Sequence, residues 1–227
     1  ARNPRLVYAA IRGFGDPRTG ESPYVDWPAF DVVAQALSGV VSITGTEDGQ
    51  TVRVGPSIGD LYPATLAALG VVSAVLSARE TGKGQFLDVA MYDALVALCE
   101  AVVYRYSYTG MVTRPTGNSH PQLSPFDIYP TADGGCAIAA PTDNHWAILC
   151  ELMGRPDLLT DGRTLTNRER VANAAFVRET MSAWTSAHTT AQLVELDDGD
   201  EVDEAGAPDD GDEVDEAGEP DEGSARG

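Results

Sequence analysis

Thr81-Gly82-Lys83-Gly84-Gln85-Phe86-Leu87-Asp88-Val89-Ala90-Met91-Tyr92-Asp93 is the stretch on which the fold turns. A helix rich in Ala, Leu and Val runs up to it from Ser57, and Gly82 supplies the left-handed residue that ends such helices. Gln85 to Val89 is short and apolar, as a strand in a parallel sheet is. A second helix is predicted from about Tyr92 to Ser107. Asp88 lies between hydrophobic neighbours, where a carboxylate must be solvated, paired or retained for chemistry. An aspartate near a strand end can equally be a turn or cap residue, and Asp93 is a rival carboxylate whose simplest role is to meet a helix N-terminus.

Working outward, residues 5 to 11 contain Leu-Val-Tyr-Ala-Ala-Ile and predict a buried parallel strand. Gly13-Phe14-Gly15 then opens a loop to Pro23. Apolar residues recur at helical spacing from Ala29 to about Val41, and Asp48-Gly49 marks a hairpin tip within 44–55. Asp60, three residues after Ser57, fits a capping position, although a capping box prefers Glu or Gln, so Asp60 is also a candidate for a polar role near a site. Asp133-Gly134-Gly135 predicts a hairpin joining 127–129 to 136–140. Helices are predicted from His145 to Met153 and from Arg168 to about Ala187. This order predicts an α/β fold: a large unit over 1–105, a linker at 106–115, a smaller α+β unit over 116–196 and a tail at 197–227.

The formal net charge of −20 is concentrated in that tail, which carries 15 acidic residues and one Arg, so the rest holds 20 acids against 14 bases. The tail repeats the twelve residues 197–208 at 209–220 with Ala207 replaced by Glu219; with one valine per unit it predicts disorder. The acidity disfavours nucleic acid and anionic membranes as partners. No apolar run suggests a membrane span and no leader is evident, so a cytoplasmic protein is expected. Cys99, Cys136 and Cys150 have no CxxC spacing, and His120, His145 and His188 are scattered, which predicts neither a disulfide framework nor a metal site.

Four segments, in order, resemble the class III CoA-transferases, the CaiB/BaiF family: Asn3 to Gly15, Pro28 to Gly39, Thr81 to Met91, and Gly117 to Gly134. The resemblance covers residues 2–195 or so and implies a partial Rossmann-like large domain. It implies a reaction in which CoA moves between an acyl-CoA and a carboxylic acid through an aspartyl anhydride and an aspartyl-CoA thioester. It marks Asp88 as the nucleophile, Pro28, Ala29, Phe30 and Asp31 as CoA contacts, and Gly117 and Asn118 as a loop over the site. Coenzyme A would be a substrate, with no permanently bound cofactor and no metal. Racemases of the family carry a histidine where Phe30 stands, which favours transfer over racemisation. Phe30 could equally be a packing residue, Gly117 an ordinary turn glycine, and His120 a weak substrate contact. Family members are about twice as long and form interlocked dimers. The chain is therefore expected to act as a homodimer or with a complementing subunit, with an inactive remnant or an interaction module as alternatives.

Overall fold

The structure, a computed structural model, describes residues 3–197, so the expected disorder of the acidic repeat falls outside the described residues. Strand β1 (Tyr8–Arg12) pairs in parallel with β2 (Phe86–Ala90), Tyr8 opposite Phe86 and Ala10 opposite Asp88. Between them lie α1 (Asp31–Ser38), the short α2 (Val40–Ile43) and the 24-residue α3 (Ile58–Thr81). Parallel strands require a long crossover, and α3 provides it, running back along the sheet so that its first turn lies toward the strands' C-terminal ends. Gly82, at φ 74°, closes α3 by donating its N–H to the Ala78 carbonyl.

The expected hairpin forms at 44–52. Thr46 N–H reaches the Gln50 carbonyl, Val52 N–H reaches that of Thr44, and Gly49 turns at φ 93°. The predicted helix from Tyr92 to Ser107 is two helices, α4 (Met91–Leu98) and α5 (Glu100–Thr109), divided at Cys99, whose ψ of 18° lies outside the helical range. Positions 106–109 of the expected linker thus belong to α5. The first core gathers Ala34, Val40, Met91 and Leu95, from α1, α2 and α4, and Cys99 at the break after α4, with Ile58 and Tyr62 of α3 against it.

The second half holds the antiparallel hairpin β3 (Phe126–Pro130) and β4 (Gly135–Ala139). Its helices are α6 (Asp143–Leu152), α7 (Asn167–Ala172), α8 (Ala174–Thr185) and α9 (Thr190–Asp197). The predicted helix from Arg168 is split at Asn173. Tyr129, Trp146, Cys150, Leu158, Val177 and Met181 form its core.

Two expectations need correction. β1 is not buried: Tyr8 is 54% exposed and Ile11 48%, because β1 has β2 alone as a strand neighbour among the described residues. Among the described residues one helix, α3, is long and apolar enough to cross a membrane by length and composition, with a mean hydropathy of 1.7. Its Leu, Val and Ala residues set this mean, while Gly70 lets α3 approach Leu87 of the sheet.

Candidate active site

The carboxyl ends of parallel strands are where α/β folds bind ligands, because loops and helix N-termini converge there. Four pieces meet at this edge: the loop after β1, the segment before α1, the first turn of α3 and the start of α4. Tyr92 N–H donates to the Gly13 carbonyl, tying α4 to the loop. Ala29 lies so close to Gly13 that a side chain at position 13 would collide with it.

Asp88 occupies the middle of β2 on the face covered by the loop after β1. Its Oδ2 accepts from the Asp16 N–H at 2.7 Å and from the Thr19 hydroxyl at 2.5 Å. Oδ1 is buried and has no hydrogen-bond partner among the described residues. Gly15 passes over this carboxylate at φ 86°, in the left-handed region that glycine adopts without a penalty. Asp16 is itself held by Arg18, in a forked pair, and by Arg12 at 3.2 Å. The Arg18 hydrogen bonds, with help from Arg12, keep the Asp16 carboxyl well below the usual carboxylate range. Arg18 in turn lies 4.0 Å from the centre of the Phe86 ring. A cavity of about 430 Å³ opens beside Asp88, bordered by Thr19, Tyr24, Tyr92 and Asp93. Asp93, in the first turn of α4, is exposed.

The segment expected to contact CoA is drawn to α3. Pro28 is exposed, and Phe30, at the head of α1, is 70% exposed. Asp31 turns inward: its Oδ1 accepts from the Gly59 N–H at 2.8 Å and from Gln35 Nε2 at 2.9 Å. Gly59 immediately precedes Asp60. The capping reading of Asp60 does not materialise. Ser57 makes no side-chain cap bond, and the Asp60 carboxylate has no hydrogen bond or ion pair among the described residues. Asp60 is exposed, in the first turn of the longest helix, where the partial positive charge of the N-terminus favours an anion.

Gly117 and Asn118 do not border the Asp88 cavity. Gly117, at φ 64°, donates its N–H to the Gly45 carbonyl at 3.1 Å, so this turn rests on the 44–52 hairpin. His120 lines a separate cavity of about 560 Å³ with Asp127, Tyr129 and Arg178.

The family model described as CoA-transferase family III matches residues 1–203. The chain belongs to that family. It is 48% identical over 197 residues to the succinyl-CoA:mesaconate CoA-transferase of Haloarcula hispanica, covering 87% of this chain and 49% of that one. It is 38% identical over 209 residues to the succinyl-CoA–D-citramalate CoA-transferase of Chloroflexus aurantiacus, covering 92% and 50%. The CaiB/BaiF family protein from Brucella suis matches with a TM-score of 0.73 at 29% identity, over 86% of this chain and 51% of its own. The chain thus spans about half the length of the curated relatives it matches. The fold class expected of a family III protein, α/β with a smaller α+β part, is the one observed.

Proposed function

We propose that this chain carries the nucleophile of a CoA-transferase and that Asp60 is that nucleophile. One observation supports this above the others: the Asp60 carboxylate is uncommitted, exposed and at the carboxyl edge of the parallel pair, next to the segment Pro28, Ala29, Phe30 and Asp31. A nucleophile must offer a lone pair to a thioester carbonyl. Asp88, by contrast, has one oxygen saturated by two donors and the other enclosed.

The chemistry needs one carboxylate. Asp60 attacks the acyl carbonyl of the acyl-CoA and the C–S bond breaks, giving a mixed anhydride and CoA thiolate. The thiolate attacks the aspartyl carbonyl, forming the aspartyl-CoA thioester and releasing the donor acid as its carboxylate. The acceptor carboxylate then attacks that thioester, and the expelled thiolate takes the acceptor's acyl group and frees Asp60. Charge is conserved at each step, so no external base is required. The CoA-transferases of H. hispanica and C. aurantiacus named above bear succinyl-CoA in their names, and short dicarboxylates are the substrate class proposed here. Phe30 stands where a racemase would need an imidazole base, which supports transfer over racemisation. Exposed, Asp60 would lose its thioester to water, so the reading includes cover from a second copy or a complementing subunit, in the cytoplasm.

A second reading rests on the unpaired Asp88 Oδ1 beside the cavity: Asp88 Oδ1 attacks the thioester, and the Asp16 N–H and Thr19 hydroxyl stabilise the oxyanion that forms on Oδ2 when the CoA thiolate then attacks the aspartyl carbonyl. Intact-mass analysis of the full protein incubated with succinyl-CoA, then trapped with hydroxylamine and mapped, separates the two. Modification at Asp60, with turnover falling roughly 10³-fold or more in Asp60→Ala, is expected. Modification at Asp88 would establish the second reading instead.

A further inference from the structure

We propose that Asp31 and Gln35 are positioning residues that set the first turn of α3, and through it the Asp60 carboxylate; this rests on the role assigned to Asp60 above. Asp31 is the first residue of α1, yet its side chain caps a different helix. Its Oδ1 accepts from the Gly59 N–H at 2.8 Å, one of the first-turn amides that a helix cannot satisfy internally. Gln35 lies one turn along α1 and is completely buried. Its Nε2 donates to both Asp31 oxygens, at 2.9 and 3.0 Å, and its Oε1 accepts from the Val54 N–H at 2.9 Å. One pair of side chains therefore fixes the exit of the 44–52 hairpin and the beginning of α3.

Glycine at position 59 follows from the same closeness. A Cβ there would stand 2.8 Å from the Asp31 carbonyl oxygen and 2.9 Å from its Oδ1. The φ of Gly59 is an ordinary helical one, so space and not backbone conformation excludes a side chain. Asp60 follows directly, and its backbone is held while its carboxylate stays free. With both oxygens occupied within the protein, Asp31 acts through Asp60 and not as a ligand for CoA. Gln35, being enclosed, has no access to substrate at all.

The test compares Asp31→Ala, Gln35→Leu and Asp31→Asn in the full protein, using succinyl-CoA as probe. It reads three quantities: the single-turnover rate of the covalent Asp60 adduct, the KM for succinyl-CoA, and hydrogen exchange at the Gly59 amide. Asp31→Ala and Gln35→Leu are expected to slow adduct formation about 10- to 100-fold at unchanged KM, the scale of a small misplacement of a reacting group. Both should unprotect the Gly59 amide while Leu95 stays protected. Asp31→Asn keeps an oxygen that can accept both bonds and should restore rate and protection. Gly59→Ala, which forces the pair apart by another route, should reproduce the defect if Asp31→Ala does not fold. A raised KM at unchanged rate in Asp31→Ala, with Gln35→Leu silent, would make Asp31 a CoA contact and overturn the proposal. So would an unchanged rate in all three variants of a wild type that is modified at Asp60. A wild type never modified at Asp60 would overturn the role given to Asp60, and the positioning role with it.

Discussion

Asp16 shows how a single enclosed residue can organise a loop. Its side chain is 1% exposed, yet it remains an anion because Arg18 bonds both its oxygens and Arg12 lies beside it. Since its carboxyl is depressed below the ordinary 3.8, the stabilisation is present above that pH and is lost as the solution becomes strongly acid. Asp16→Asn should therefore flatten the acid limb of the stability profile, measured by denaturant unfolding between pH 5 and pH 2 or so. Cys150 gives the opposite sign. Burial raises its thiol from 9.0 to about 11, so its contribution is intact below pH 9.0 and disappears as the pH rises through about 11. In the native protein Cys136, half-buried, should be alkylated first, with Cys99 and Cys150 reacting only on unfolding; labelling followed by peptide mass analysis reads the order.

At the scale of elements, the ends matter more than the middles. Removing Arg170 from α7 should cost roughly 2–5 kcal/mol in denaturant unfolding, at about 1–3 kcal/mol for each enclosed carbonyl left without a donor, since its ionic partner Asp143 is itself exposed. Its fully buried guanidinium bonds the Ser124 and Thr164 carbonyls and the Asp143 carboxylate, and they would be left without it. β2, the two hairpins and the Gly82 stop were legible because glycine turns and apolar runs are local signals. The breaks at Cys99 and Asn173 were not, since neither residue is a strong helix breaker and each break is set by packing around it. The site was legible only as residue types. Asp60 was visible as an aspartate without an ideal capping partner, but its freedom depends on Asp31 taking the cap from 28 positions away. The spacing of Asp31 and Gln35, one turn apart on α1, was the sequence signal of that arrangement. Thr19 left none, because its bond to Asp88 spans 69 positions.

Across the whole molecule, the two halves meet where Glu47, at the tip of the first hairpin, pairs with Arg178 of α8 at 2.5 Å. Arg178 also reaches Asp127 at 2.7 Å, and Asp127 is nearly buried. Arg178→Ala should destabilise the second half by roughly 1–3 kcal/mol, the cost of leaving a charged acceptor short of a donor. It should also speed hydrogen exchange at the Gly117 amide, which rests on the hairpin. Glu47→Gln, which keeps the shape at an exposed position, should affect exchange at Gly117 far more than stability.

The pairing of Tyr8 with Phe86 places 86 − 8 = 78 positions between partners in one ladder. At about 5–20 residues per second, a ribosome delivers β2 roughly 4–16 s after β1. Throughout that interval β1 is without the strand it pairs with, and Tyr8 is without the Phe86 ring it stacks on. A nascent chain stalled between these two strands is the form of this protein for which a chaperone has the most to hold.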